Sequence, residues 1–175
     1  MAPVQGLCDD VAVEKPDLKY SFIDTPIGAI LIAGDGISII ETYFAGAQPK
    51  PDWARDDDAF SEATAQLRAY FAGALKAFDL PLAPRGTEFQ QSVWSALLEI
   101  PYGQTTTYSA IAETINRPAA VRAVGAANGA NPIPIIIPCH RVIGANGSLT
   151  GFGGGLDVKR QLLALEARVA GQTLF

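Results

Sequence analysis

Pro138-Cys139-His140-Arg141-Val142 sets a thiol beside the only histidine of the 175-residue chain. A thiol is nucleophilic as thiolate, and a neighbouring imidazole is the common means of lowering its pKa. In an extended strand the two side chains would point to opposite faces. Their cooperation therefore needs a tight turn beginning at Pro138, or a bridging water. A catalytic imidazole also needs a third group to fix its tautomer. Glu166 is the candidate. Over 156–169 the apolar residues Val158, Leu162, Leu163, Leu165 and Val169 mark a helical stripe, and Glu166, at i+4 from Leu162 and i+3 from Leu163, points inward with it. A buried carboxylate needs a partner, here His140 or an arginine such as Arg141.

These residues must be held by the elements around them. The segment 131–138, apolar and punctuated by Pro132, Pro134 and Pro138, suits a short buried strand or a rigid extended lead-in. Gly151-Phe152-Gly153-Gly154-Gly155 matches neither the dinucleotide fingerprint nor a Walker loop. Beside a reactive thiol it reads as a pocket wall whose backbone approaches a flat ligand closely. Upstream, Thr87 caps a helix to Leu98, Thr107 caps a short helix to about residue 115, and Pro118 opens a helix that stops at Asn128-Gly129. The last two have a helix-turn-helix outline. The second of them, 119–129, lacks the long polar side chains that read the major groove. Its small residues fit either close packing in the core or approach to the narrow minor groove, with Arg122 as the one long side chain.

The first half reads as a three-stranded antiparallel meander over 19–24, 29–33 and 37–44, a loop over 48–58, and a helix over 58–75. That helix buries Phe60, Ala63, Leu67, Tyr70, Phe71 and Ala74. Leu80-Pro81-Leu82-Ala83-Pro84 is the expected linker. The fold class is α+β: a small N-terminal domain, 1–84, with 1–17 as a tail, and a mostly helical C-terminal domain, 85–175, of winged helix-turn-helix character. Residues 1–84 carry 6 Lys and Arg against 13 Asp and Glu, whereas 85–175 carry 7 against 5. Contact with a polyanion thus falls to the second half. One histidine and two cysteines are too few for an ordinary structural zinc site, and Cys8 and Cys139 are expected to stay reduced. No signal or membrane-length apolar run is visible, and the chain reads as soluble and intracellular.

Together with Asn131-Pro132, Arg122-Ala123-Val124-Gly125, Tyr108 and Leu162-Leu163-Ala164-Leu165-Glu166, the Cys139 motif resembles the O6-alkylguanine-DNA alkyltransferases over about residues 86–166. Over 1–84 the likeness rests on the order of elements. The resemblance implies a single-turnover DNA repair enzyme without cofactor or metal, monomeric and cytoplasmic, or nuclear in a eukaryote. Its partner is duplex DNA carrying an alkylated guanine, with O4-alkylthymine left open as a second lesion. It also implies roles. Arg122 fills the space vacated by a flipped base, with Ala123, Ala126, Ala127, Thr107 and Tyr108 at the DNA. Tyr108 protonates the departing base, and Val142, Phe152 and Gly153 line the guanine pocket. Cys139 attacks the alkyl carbon, His140 takes its proton, Glu166 orients His140, and Asn131 braces the turn. Asn128 and Gly129 stand where some relatives carry basic or bulky residues. The alternatives are a Cys-His-Glu thiol hydrolase, which would need an oxyanion hole that nothing in the sequence marks, and a non-catalytic lesion-binding module, which the presence of Cys139 disfavours.

Overall fold

The computed structural model describes residues 17–171; Cys8 and all but the last residue of the expected tail lie outside them. The first three strands, β1 (Lys19–Ile23), β2 (Ile30–Gly34) and β3 (Ile39–Tyr43), form the antiparallel meander. β2 is buried along its whole length because both its faces are covered. Ile30 and Ile32 join the main core, while Leu31 and Ala33 lie under Trp53. A fourth strand, β4 (Ala54–Arg55), pairs in parallel with β1 inside the segment read as a loop. Two residues are too few to leave a period in the sequence.

A 3-10 turn at Asp58–Phe60 leads into α1 (Ser61–Phe71), which buries Ala63, Leu67 and Tyr70. The helix stops four residues before the expected end, and Ala74 is exposed beyond it. The expected linker is docked rather than free. Ile39 N–H donates to the Pro81 carbonyl at 2.8 Å, and Ala83 N–H donates to the Ile39 carbonyl at 2.8 Å. Further along the same edge, Thr42 N–H donates to the Pro132 carbonyl at 2.8 Å. The open edge of β3 is thus covered twice, the second time by the segment that leads to Cys139.

In the second half, α2 (Glu88–Leu98) begins with a capping box formed by Thr87 and Gln90, and Thr107 caps α3 (Tyr108–Thr114). Asn116, at φ 56°, makes the turn. A 3-10 turn at Pro118–Ala120 then opens α4 (Val121–Gly129). The helix-turn-helix outline is present. The αL stop expected at Asn128-Gly129 is absent: the capping residue is Ala130, at φ −88°. β5 (Thr106–Thr107) and β6 (Val142–Ile143) pair in parallel, where a wing would be an antiparallel hairpin. The last helix is α5 (Leu156–Val169). One hydrophobic core runs from β1 and α1 through α2 and α4 to Leu162 of α5, so the two halves share an interior. Among the described residues no helix is long and apolar enough to cross a membrane.

Candidate active site

The lead-in 131–138 is a series of turns instead of a strand. Its Ile135 sits at φ 76°, a conformation that a β-branched residue adopts only under constraint. Asn131 supplies part of that constraint. Its Nδ2 donates to the Ile137 carbonyl at 2.8 Å and its Oδ1 accepts from Ile133 N–H at 3.0 Å. The chain then tightens into a 3-10 turn, Cys139–Arg141, closed by Arg141 N–H to the Pro138 carbonyl at 3.0 Å. The expected turn at Pro138 is present, yet no hydrogen bond joins His140 to the Cys139 thiol, so the bridging water remains the route by which the two can cooperate.

Glu166 is the hub. Its Oε1 accepts from His140 Nε2 at 2.8 Å, Arg141 Nη2 at 2.9 Å and Tyr70 Oη at 2.7 Å. Its Oε2 accepts from Arg141 Nε at 2.9 Å and from the backbone N–H of Gly103 at 3.1 Å. Gly103 can come so near because it has no side chain: at φ 76°, a Cβ there would lie 2.7 Å from the Cβ of Ala170. Burial alone would raise the Glu166 pKa, but the bonds from His140 and Arg141 outweigh it and hold the carboxyl down to about 2. The sequence left His140 and an arginine as alternative partners; the carboxylate takes both.

Burial also disfavours the imidazolium, and it outweighs the Glu166 hydrogen bond, so the His140 pKa lies below its ordinary value. A neutral imidazole that donates Nε2–H to an ionised carboxylate leaves Nδ1 as an acceptor. That nitrogen is buried and has no hydrogen-bond partner. The thiol of Cys139, 4% exposed, is pushed up to about 11 by burial, with Asn131 and Lys159 acting in the opposite direction. This corrects the expectation of a lowered thiol pKa. A neutral histidine brings no charge to a resting thiol; it offers a base.

Lys159 escaped the sequence reading. It is fully buried, and its Nζ donates to the carbonyls of Val142 at 2.7 Å and Thr150 at 3.0 Å. The buried face of α5 runs through Lys159, Leu162, Leu163, Glu166 and Ala167. The expected stripe is therefore rotated, leaving Val158, Leu165 and Val169 only half-buried. Lys159 stands seven residues before Glu166 on that face, and this spacing was the available signal. Tyr70 and Phe44, both from the first half, carried no local signal.

A cavity of about 30 Å³ adjoins Cys139, walled by Phe44, Asn128, Asn131, Phe152 and Gly153 among others. Phe44 packs against Phe152 with ring centroids 5.3 Å apart and planes tilted by 59°, and it crowds Gly154, where a Cβ would meet its ring at 3.1 Å. Val142 is not part of this wall: its side chain is fully buried and its carbonyl is bound by Lys159. Tyr108 is half-buried, its hydroxyl 2.7 Å from that of Thr150. On α4, Arg122, Ala123 and Ala126 are exposed on one face. Ala127 is not on it. It is buried, and its carbonyl accepts from Trp94 Nε1 at 2.9 Å, which turns this position to the core. Asn128 is buried as well, so it too is absent from the outer face. The Thr107 hydroxyl is engaged in capping, accepting from Ala110 N–H at 3.2 Å.

Two family models match the chain: the ribonuclease-like domain of 6-O-methylguanine DNA methyltransferase over residues 18–84, and the DNA binding domain of the same family over residues 88–168. A methylated-DNA--protein-cysteine methyltransferase of Methanosarcina acetivorans is 57% identical over 153 residues, covering 85% of this chain and 98% of its own. A protein of the same description from Mycobacterium tuberculosis is 54% identical over 152 residues, covering 85% and 92%. Among solved structures, the M. tuberculosis OGT crystallised with DNA superposes with a TM-score of 0.83 at 54% identity, over 86% of this chain and 94% of that one.

Proposed function

Because the chain belongs to the 6-O-methylguanine DNA methyltransferase family, a group of DNA repair proteins that pass an alkyl group from DNA to a cysteine of their own, we propose that Cys139 is the acceptor and that the Glu166 hub prepares it. The observation that carries this reading is the buried, unpartnered Nδ1 of His140, held in that tautomer by Glu166 at 2.8 Å. Nδ1 takes the thiol proton, by way of a bridging water, as Sγ closes on the alkyl carbon. The S–C bond forms, the C–O6 bond breaks, and its electron pair passes to the purine, which gains a proton at a ring nitrogen. In this reading, taken from the family likeness, the Tyr108 hydroxyl hands over that proton and recovers one. Protons and electrons balance with no cofactor. The imidazolium that forms lies against an ionised carboxylate, which stabilises it as charge develops.

The thioether has no leaving group fit for hydrolysis, so one molecule repairs one lesion and the thiol hydrolase reading is not favoured. DNA approaches the exposed face of α4, with Ala123 and Ala126 allowing close contact in the minor groove and Arg122 taking the place of the flipped base. Phe152 and Gly153 flank the base, and Asn131 holds the turn that presents Cys139. The substrate is duplex DNA with an O6-alkylated guanine. The protein works as a monomer in the compartment that holds DNA, with 85–175 as the DNA-binding and acceptor domain and 1–84 supporting it from behind.

Stoichiometry tests this. With O6-methylguanine duplex in tenfold excess, the amount of guanine restored should plateau at one equivalent of protein. Continued turnover past that plateau would return the thiol hydrolase, and no restoration would leave only lesion binding.

A further inference from the structure

One polar group on the wall of the Cys139 cavity has no task in this mechanism. Asn128 is 4% exposed, and its Oδ1 is buried without a hydrogen-bond partner. The neighbouring amide, Asn131, already bonds two backbone groups and acts on the Cys139 thiol. A buried amide left unpaired is unfavourable, so a ligand group that pairs with it gains what the free protein lacks. Building on the function proposed above, we infer that Asn128 selects among the alkyl groups the protein removes, favouring those that carry a hydroxyl.

The argument is spatial. Whatever else the lesion touches, its transferable carbon must reach Sγ of Cys139. The cavity there is small, about 30 Å³. Atoms beyond the transferred carbon therefore press directly on the wall. Phe44 and Phe152 are apolar residues of that wall, and Asn128 is the wall residue whose side-chain oxygen is buried and unpaired. A hydroxyl on the second carbon can donate to Oδ1, or accept from Nδ2 if the amide is turned over, so either orientation is served. A hydrocarbon chain of the same length leaves the amide unpaired. Sites built around a hydrogen bond discriminate strongly against analogues that lack it, whereas apolar sites discriminate weakly.

The S–C bond is formed and the C–O6 bond broken as for methyl, so the two substrates to compare are duplexes with O6-(2-hydroxyethyl)guanine and O6-propylguanine, which have equal numbers of heavy atoms. Their intrinsic reactivities are cancelled by measuring the same ratio of rates with a small thiolate and the free alkylguanines in solution. The protein's hydroxyethyl-to-propyl ratio should exceed the solution ratio by about tenfold, and Asn128→Leu should remove most of that excess. A protein ratio equal to the solution ratio would overturn the inference, as would an Asn128→Leu protein that folds and keeps the excess. If that variant does not fold, the comparison of the native protein with solution decides alone. An O6-methylguanine duplex in the same assay separates the levels. Methyl transfer to Cys139 with an ordinary ratio removes only the role of Asn128, while failure of methyl transfer removes the proposed function and this inference with it.

Discussion

Glu166 and Arg122 show two ways of holding a charge. The carboxylate accepts five hydrogen bonds in the interior, contributed by α1, the turn after α2 and the Cys139 turn. Arg122 stands exposed on α4, with no hydrogen bond or ion pair to another described residue. The interior site is assembled before any ligand arrives, and its reorganisation is minimal when charge develops. In the proposed function, the outer face is complete only when DNA supplies its other half. Substitutions at the first should therefore change stability and chemistry together, and substitutions at the second should change duplex repair alone.

The largest effect is expected at His140. Removing the base with His140→Ala should slow alkyl transfer by about 10²- to 10⁴-fold, read as the rate with an O6-methylguanine duplex. In the native protein the acid limb of that rate should fall below pH 6.5, because the histidine pKa is lowered and the neutral base persists into more acid solution. A limb above pH 6.5 would contradict the electrostatics described. Next comes Glu166→Gln, which leaves the buried Arg141 without its counter-charge. Unfolding by denaturant should show a loss of about 3–5 kcal/mol. The sign of the pH dependence follows from the same group. Its folded pKa, about 2, lies below the ordinary value of 4.5. Its stabilisation is thus full above that ordinary value and is lost as the pH falls toward 2.

Tyr70→Phe sharpens the comparison, because it touches the hub from the other half of the chain. Losing one hydrogen bond to a charged group should lower stability by about 1.5–3 kcal/mol. A carboxylate with one donor fewer is more basic and favours the imidazolium, so the acid limb should also move to higher pH. A purely structural tyrosine would leave that limb in place. The smallest change in stability is expected for Arg122→Ala, within about 0.5 kcal/mol. Its effect should appear in repair of duplex while reaction with free O6-benzylguanine is spared, and equal losses on both would break the distinction between the two regions.

The same contrast explains what the sequence made legible. Cys139 and His140 stood out through residue type, and Glu166 through its place on a helical face. Thr87, Thr107 and Pro118 announced their helices because capping chemistry is local. Tyr70 was read as a core residue of its helix. Nothing local could say that its hydroxyl meets a carboxylate 96 residues away, nor that Phe44 closes the cavity of Cys139. Lys159 was concealed by its type, since a lysine is ordinarily placed in solvent. Ala127 and Ala126 are adjacent and chemically identical, and only the rotation of α4 sends one inward to Trp94 and the other outward.

The central claim is that a buried, protonated thiol is alkylated once, by DNA, with His140 as its base. Mass analysis of the intact protein after reaction with excess O6-methylguanine duplex, followed by peptide mapping, addresses it most directly. One methyl per molecule, confined to the peptide containing Cys139 and absent after Cys139→Ala, is the result expected. An unmodified protein beside repaired DNA, or a methyl carried on Cys8, would contradict it.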